Sequence, residues 1–348
     1  MHTVGNALGR GVRLVGSVAA ALALVSIGTA ATSSAQSPGP SGSPAVVQPF
    51  KTVEAGSCDP SFIHGANLWG GQAPCSTVEV AQWLGVPYTP PVDCGGQQCQ
   101  LPMDISAPTS GGPWPIVVVL PGGPGAPSEL YPVLLDSFAA ALAGQGAVVM
   151  VTGWREGADY GGGYPTSFAD IGCAIGVARE IGPSYGADPN NVTLVGFSTG
   201  GWPAMVVGLT PTPFTPAPGS CNPTSGSLRP DAAVSVNGVI DEVTGQEDGE
   251  GYVTGFLGGE RATHPDAWAA SDPFELVKRS PAGPDAIPFL LIHGADDTWA
   301  PGVAESFHAA LVAAGYDSRL VEIPATGHTE AMQRKASVDA ITAIARGR

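Results

Sequence analysis

The fold of this chain is decided by the stretch NVTLVGFSTGG at residues 191–201. Its first five residues form a β-branched, apolar run, which predicts a buried strand, and residues 201–207 can open a helix. The G-x-S-x-G between them is typical of a sharp strand-to-helix turn that exposes a serine hydroxyl at the carboxyl edge of a sheet. Ser198, at the centre of this turn, is therefore the candidate nucleophile.

A second G-x-S-x-G, GPSYG at residues 182–186, lacks that context. It follows a helical stretch at residues 168–181 and leads into a polar segment, 187–190, that is predicted to be a turn. With no strand before it and no helix after it, this copy is predicted to be a loop, and Ser198 remains the candidate.

Strand and helix patterns alternate along the chain after residue 110. This alternation predicts an α/β fold, with a mostly parallel central sheet covered by helices on both faces. An antiparallel hairpin at residues 86–107 is predicted to precede it. Strands are predicted at residues 116–120, 147–152, 192–197, 232–237, 288–292 and 319–323, and helices at residues 129–143, 167–181, 199–209, 303–314 and 330–346.

Two stretches interrupt the alternation. Residues 211–230 are rich in Pro, Ser and Gly, and residues 241–286 are long, acidic at first, and carry Phe256 and Trp268 among other large apolar side chains. The longer stretch has two interpretations, a lid over the site or a solvated surface excursion.

The N-terminus has the pattern of an export signal. Two arginines precede an apolar run at residues 14–31, and small residues follow, so residues 1–35 are predicted to be a cleaved signal peptide. The alternative is an uncleaved membrane anchor, but the run is rich in Gly and Ala and only marginally long for a span. We therefore expect secretion without stable membrane insertion. Residues 36–49, rich in Ser, Pro and Gly, are predicted to be a flexible linker.

Charge and cysteine content narrow the class of protein further. The formal net charge is -16, which disfavours nucleic acid as a partner. Six cysteines in an exported chain predict disulfides: Cys94–Cys99 around a short turn, Cys58–Cys75 in the segment before the core, and Cys173–Cys221. The alternative is that some pairs are free thiols. No C-x-x-C or H-E-x-x-H pattern occurs, so no metal site is predicted.

A serine nucleophile needs a base, and a base needs an orienting acid. His328 is the candidate base, because it lies in a small-residue loop just after the last predicted strand and can reach the carboxyl edge of the sheet. The acid is expected after the preceding strand, where Asp296 and Asp297 are adjacent candidates. Only one of them is expected to face His328. The order Ser, Asp, His is that of a hydrolase with this kind of serine turn.

An oxyanion formed during acyl transfer needs backbone N–H donors. One is expected from Thr199, which follows the candidate nucleophile. The other is expected from the loop PGGPG at residues 121–125, where Gly122 and Gly123 keep their N–H groups. The alternative is that this loop is merely a turn.

From residue 86 onward the chain resembles the α/β-hydrolase fold, in its bacterial esterase/lipase and dienelactone-hydrolase-like branch. The matching motifs are VLPGG at 119–123, GWRE at 153–156, the stretch from residue 187 to 201, LIHGADD at 291–297 and GH at 327–328. The family's H-G-x-x-D pattern implies that the acid is Asp297. The resemblance also implies that residues 86–348 are the catalytic domain and that no cofactor is needed. Residues 50–85, which carry Cys58 and Cys75, are predicted to be a disulfide-containing extension.

The chain departs from the family at Pro121 and Pro124, since that loop usually reads H-G-G-G, and at Trp202. Trp202 is expected to narrow the acyl pocket, and Trp154 is expected to bind substrate with it. Together these features predict a secreted serine hydrolase that cleaves carboxylic esters, of a small molecule or a polymer, through an acyl-enzyme on Ser198. The alternatives are a peptidase or amidase on the same scaffold and a non-catalytic secreted binding protein with this fold.

Overall fold

The computed structural model describes residues 51–55, 72–73, 78–123, 132–222, 224, 226–241, 251–299 and 301–347. The predicted signal peptide, the linker and the Cys58–Cys75 pair lie outside these residues. No helix among the described residues is long and apolar enough to cross a membrane.

A ten-stranded sheet forms the centre of the molecule, in the order β12-β11-β10-β9-β7-β8-β6-β3-β1-β2. The strands from β7 to β12 pair in parallel, apart from β8 with β6, so the predicted mostly parallel sheet is confirmed. The strands are β1 Lys51–Ala55, β2 Gln72–Ala73, β3 Val80–Pro87, β4 Val92–Asp93, β5 Gln98–Cys99, β6 Pro102–Pro108, β7 Trp114–Leu120, β8 Val148–Thr152, β9 Ala187–Phe197, β10 Ala232–Val236, β11 Phe289–Gly294 and β12 Ser318–Ile323.

Two hydrophobic cores lie on opposite faces of this sheet. Side chains of β7 alternate between them: Ile116 and Val118 join one core, and Val117 joins the other. Because β7 is buried on both faces, it reads as a continuous apolar run. Helices α2, α3 and α7 contribute to the first core and α1 and α8 to the second. Helices therefore cover both faces of the sheet, as predicted. The helices are α1 Pro132–Gly144, α2 Thr166–Ile181, α3 Gly201–Leu209, α4 Gly251–Phe256, α5 Pro265–Ser271, α6 Pro273–Arg279, α7 Val303–Ala313 and α8 Lys335–Ala345.

The predicted N-terminal hairpin is present with wider bounds. Strands β3 and β6 pair antiparallel, and the short ribbon β4–β5 lies between them in the chain. The disulfide Cys94–Cys99 joins the two strands of this ribbon at its turn. A second disulfide, Cys173–Cys221, ties α2 to the Pro-rich stretch at 211–230. Both were expected from the sequence.

Strand β9 begins earlier than predicted. Ala187 pairs with Trp114 of β7, so the expected polar turn at 187–190 is wrong. The pairing shifts register between Trp114 and Ile116, which accommodates the polar residues at the start of β9 without placing them in the core. The second G-x-S-x-G forms a 3-10 turn, Gly182–Tyr185, just before this strand.

The segment at residues 251–286 packs against α3 rather than extending into solvent. It contains α4, α5 and α6, and its Phe256 and Trp268 are buried. The Trp202 ring of α3 lies 4.8 Å from the Phe256 ring between centroids. The Trp202 indole N–H also donates to the Ser271 carbonyl at 2.6 Å. The described part of this stretch is therefore anchored to the core, and a wholly solvated excursion is wrong for it.

Candidate active site

Ser198 lies at the tight turn between β9 and α3. Its φ of +52° is in the left-handed region, which non-glycine residues rarely adopt. Gly196 is required here, because a Cβ atom at that position would lie 2.1 Å from the Gly200 carbonyl oxygen. The turn thus brings its own flanking backbone together and directs the serine hydroxyl away from the sheet.

Three predicted residues meet at this turn. The His328 Nε2 atom lies 2.7 Å from Ser198 Oγ, and the His328 Nδ1 atom lies 2.9 Å from Asp297 Oδ2. The Asp297 side chain is fully buried, and the His328 side chain is 14% exposed. A buried carboxylate, an imidazole and a hydroxyl therefore form one continuous chain of hydrogen bonds.

The candidate acid, Asp297, is placed by the turn that follows β11. The Asp297 N–H donates to the Gly294 carbonyl at 2.9 Å, and Asp297 Oδ1 accepts the Trp299 N–H at 2.9 Å. Asp296 is exposed, and its N–H donates to the Thr326 carbonyl. Of the two adjacent carboxylates, the structure therefore brings Asp297 to His328.

Asn237 ties the acid loop to the histidine loop, and sequence reasoning did not find it. Its side-chain amide donates to the carbonyls of Gly327 at 3.1 Å and His328 at 2.7 Å. Its Oδ1 accepts the Gly294 N–H at 2.7 Å. The residue is buried, with φ +44°, directly after β10. A polar residue at the end of an apolar strand was the available signal.

The histidine loop has a second tether. The Arg334 guanidinium donates to Thr326 Oγ1 at 3.0 Å and to the Ala325 carbonyl at 2.9 Å. Arg334 itself is extended and ends the 3-10 turn before α8, which is why the helix predicted at 330–346 is broken.

The glycine loop after β7 lies directly against the serine turn. A Cβ atom at Gly122 would lie 2.5 Å from Ser198 Cβ, so only glycine permits this approach. The Gly123 N–H donates to Thr199 Oγ1 at 2.9 Å. The loop that was predicted to supply an oxyanion donor is therefore joined to the serine turn by a side-chain hydroxyl. Pro124 lies outside the described residues.

Trp154 and Trp202, the predicted substrate contacts, are both almost fully buried, at 4% and 1% exposure. Trp154 lies in the loop that follows β8, and a buried ion pair fixes that loop in place. Asp170 accepts three hydrogen bonds from Arg155, at 2.7–3.2 Å. Burial raises the pKa of the Asp170 carboxyl, and the N–H groups of Arg155 oppose that rise. The hydrogen bond to Asp170 in turn raises the pKa of Arg155.

Two aromatic rings lie beside His328. The Phe197 ring centroid is 5.3 Å from that of His328, and the Trp299 ring centroid is 5.7 Å from it. Phe197 is buried, whereas Trp299 is 74% exposed. The sequence analysis singled out neither residue.

A comparison with known families identifies the chain. The BD-FAE family model matches residues 103–311, which is more than half of the sequence. The chain belongs to the BD-FAE family. It is an α/β-hydrolase-fold esterase, and the predicted fold class and the assignment as a carboxylic ester hydrolase are confirmed. No curated protein sequence matches this BD-FAE member.

Solved structures similar to this BD-FAE protein share its fold. A bifunctional GH43-CE protein from Bacteroides eggerthii matches with TM-score 0.61 and 22% identity, over 76% of this chain and 38% of the other. The chain thus spans well under half of that larger protein. A truncated carbohydrate esterase from gut microbiota matches with TM-score 0.58 and 18% identity, over 76% and 95%. Butyrate-bound esterase Est2 of Thermogutta terrifontis matches with TM-score 0.54 and 20% identity, over 75% and 93%.

Proposed function

We propose that this BD-FAE protein is a secreted serine hydrolase that cleaves carboxylic esters through an acyl-enzyme on Ser198. The observation that carries the proposal is the hydrogen-bonded chain from the buried Asp297 carboxylate through His328 to Ser198 Oγ. A serine alcohol is a weak nucleophile at neutral pH, and an adjacent oriented imidazole is what activates it.

In the acylation step, Ser198 Oγ attacks the ester carbonyl carbon while its proton moves to His328 Nε2. Asp297 holds the His328 Nδ1 proton and stabilises the imidazolium. The tetrahedral intermediate collapses when the bond to the alcohol oxygen breaks, and Nε2 returns the proton to that oxygen. Water then attacks the acyl-enzyme by the same route, so that the carboxylic acid leaves and Ser198 is restored.

The oxyanion is proposed to accept the backbone N–H groups of Thr199 and Gly122. Gly123 was the alternative to Gly122, but its N–H already donates to Thr199 Oγ1. Gly122 lies against the nucleophile itself, which suits a donor that must reach the reacting carbonyl oxygen.

Export is proposed from residues 1–35 as a signal peptide, with 36–49 as a linker and 86–348 as the catalytic domain. The disulfides Cys94–Cys99 and Cys173–Cys221 support an oxidising compartment.

Residues 251–286, which rest on α3 through Trp202, are proposed as the described part of a lid that borders the acyl pocket. Trp154 and Trp202 are proposed to line that pocket. The substrate is proposed to be an ester of a small molecule or a polymer.

The test is covalent labelling by a fluorophosphonate together with turnover of acetate and butyrate esters. We expect the wild type to be labelled and Ser198→Ala to lose labelling and about 10⁶ of kcat. Ser184→Ala, which changes the second G-x-S-x-G, is the matched control and should retain both. Absence of labelling would favour a non-catalytic binding protein, and cleavage of amides in preference to esters would favour a peptidase or amidase.

A further inference from the structure

Trp299 is the large apolar side chain that is most exposed among the described residues. Its side chain is 74% exposed, whereas Trp154, Trp202 and Trp268 are each at most 4% exposed. Burial of apolar surface is favourable, so an indole left in water forgoes that stabilisation. At its position beside His328, the exposed indole is available to contact a substrate.

The main chain of Trp299 is fixed by the candidate acid. Its N–H donates to Asp297 Oδ1, while Asp297 Oδ2 bonds to His328. The Trp299 main chain and the His328 imidazole therefore bond to the same carboxylate, and the Trp299 ring lies 5.7 Å from the His328 ring, centroid to centroid. A side chain at this position borders the space next to His328.

The proton on His328 Nε2 goes to the oxygen of the departing alcohol, so the alcohol half of an ester must occupy the space beside His328. Trp202, by contrast, lies on α3 behind the serine and is proposed to bound the acyl half. An exposed indole is a flat apolar face that stacks against another ring.

We propose, on the basis of the serine esterase function above, that Trp299 is the binding platform for the alcohol half of the ester and selects alcohols that carry a ring. The ligands recognised in this way share a flat face, made of C–H groups or of aromatic carbons, that stacks on the indole. An aromatic alcohol and a pyranose sugar both present such a face, and the test separates them.

The experiment compares two isomeric esters, benzyl acetate and methyl phenylacetate, which place the same ring on the alcohol side or the acyl side. We expect Trp299→Ala to lower the ratio of kcat/KM for benzyl acetate to that for methyl phenylacetate by about 3–10-fold, the value of one aromatic contact. Trp299→Phe should keep the ratio within about twofold of wild type, since a smaller ring still stacks.

A sugar arm uses methyl glucopyranoside acetylated at its primary hydroxyl, with ethyl acetate as the ringless reference. The sugar ratio is kcat/KM for the acetylated glucoside divided by that for ethyl acetate, and the benzyl ratio is kcat/KM for benzyl acetate divided by that for methyl phenylacetate. If Trp299→Ala lowers only the sugar ratio, the platform binds pyranose rings. If it lowers only the benzyl ratio, the platform binds aromatic alcohols. Leu84→Ala is the control for loss of exposed apolar surface, because β3 lies four strands from β9. It should leave every ratio unchanged.

Equal losses on all esters in Trp299→Ala would overturn the proposal and make Trp299 a positioning residue for His328. Unchanged kinetics would overturn it as well. Fluorophosphonate labelling separates these outcomes from failure of the esterase function itself: a labelled wild type with invariant ratios rejects only the platform, whereas an unlabelled and inactive wild type rejects the proposed function.

Discussion

At the scale of single residues, the two adjacent aspartates provide the sharpest comparison. Asp297 is buried and bonds to His328, whereas Asp296 is exposed. Asp297→Asn should lower kcat by about 10⁴, as loss of the orienting carboxylate does in serine proteases, because the imidazole is no longer held in the correct tautomer and loses its charge partner. Asp296→Asn should retain most activity. Steady-state kinetics on one acetate ester, with circular dichroism to verify folding, tests both, and a fully active Asp297→Asn protein would refute the assigned role.

The hydroxyl of Thr199 is expected to act as a positioning group for the glycine loop. Thr199→Val keeps the shape and the backbone N–H but leaves the Gly123 N–H without its acceptor. We expect kcat to fall by about 10–100-fold, less than for a lost oxyanion donor, with a smaller change in KM. Thr199→Ser should restore most of the rate. A loss carried mainly by KM, or no rescue by serine, would argue against this role.

The sequence predicts those site residues that belong to short motifs and misses those that only the fold brings to the site. Ser198 and His328 belong to short patterns, a turn between strand and helix and a loop after the last strand. Asn237 gives only a weak signal, a polar residue at the end of an apolar strand, and Trp299 belongs to no pattern. The roles of both residues depend on which loops the sheet brings together. Whether a tryptophan is exposed is likewise a property of the fold. Nothing in the residues around Trp299 in the sequence distinguishes it from the tryptophans that the fold buries.

At the scale of secondary-structure elements, Asp104 of β6 supports an irregularity in β3. Its Oδ1 accepts the N–H of Gly85 at 2.7 Å, where β3 shifts register and φ is +64°. Burial raises the pKa of the Asp104 carboxyl, and the Gly85 hydrogen bond opposes that rise. The charged form is therefore less favourable in the folded protein than in the unfolded chain.

The pH dependence follows from the sign of that shift. The stability that Asp104 contributes is fully present below its unfolded-state pKa, about 3.9, and is lost as pH rises through the higher folded-state pKa. Asp104→Asn keeps an acceptor for Gly85 and removes the ionisation. Its free energy of unfolding in urea, minus that of the wild type, should increase between pH 3.5 and pH 6.5. A difference that does not change with pH would count against a raised pKa.

The core strands β7, β8, β10 and β11 were predictable because each is an apolar run long enough to recognise. The three helices α4, α5 and α6 were not predicted, since each has only six or seven residues and shows too few turns for a helical period. Their positions depend on Phe256 and Trp268 meeting the face of α3, a tertiary contact that outweighs weak local preference.

At the scale of the whole molecule, the two described disulfides should differ in their effect on stability. Cys173–Cys221 closes a separation of 48 residues and Cys94–Cys99 one of 5. In the chain-entropy model, removing the first costs about 4 kcal/mol and removing the second about 2 kcal/mol. Urea unfolding of the double variants Cys173→Ala/Cys221→Ala and Cys94→Ala/Cys99→Ala measures both. Equal losses, or a larger loss for the short loop, would contradict the model.

The alternation of strands and helices was sufficient to predict the mostly parallel sheet with its covering helices, because a buried parallel sheet needs helices on both faces. The edge of the sheet was less predictable. Strands β1 and β2 lie in the segment expected only to be an extension, yet they add to the sheet next to β3. Their short length gives little periodicity, and pairing with β3 supplies the missing stabilisation.

At position 198 the residue that suits the backbone best differs from the residue that the proposed reaction requires, because φ is positive there. A left-handed backbone costs a non-glycine residue about 1–2 kcal/mol, and glycine is free of that cost at φ +52°. Glycine also loses more chain entropy on folding than serine does, which costs about 0.5–1 kcal/mol. The folded protein with glycine at position 198 should therefore be at least as stable as the protein with serine. A laboratory population evolved for heat resistance alone, with no demand for turnover, should therefore accept glycine at position 198, which lacks the hydroxyl proposed as the nucleophile. We expect serine to be retained there only under selection for turnover.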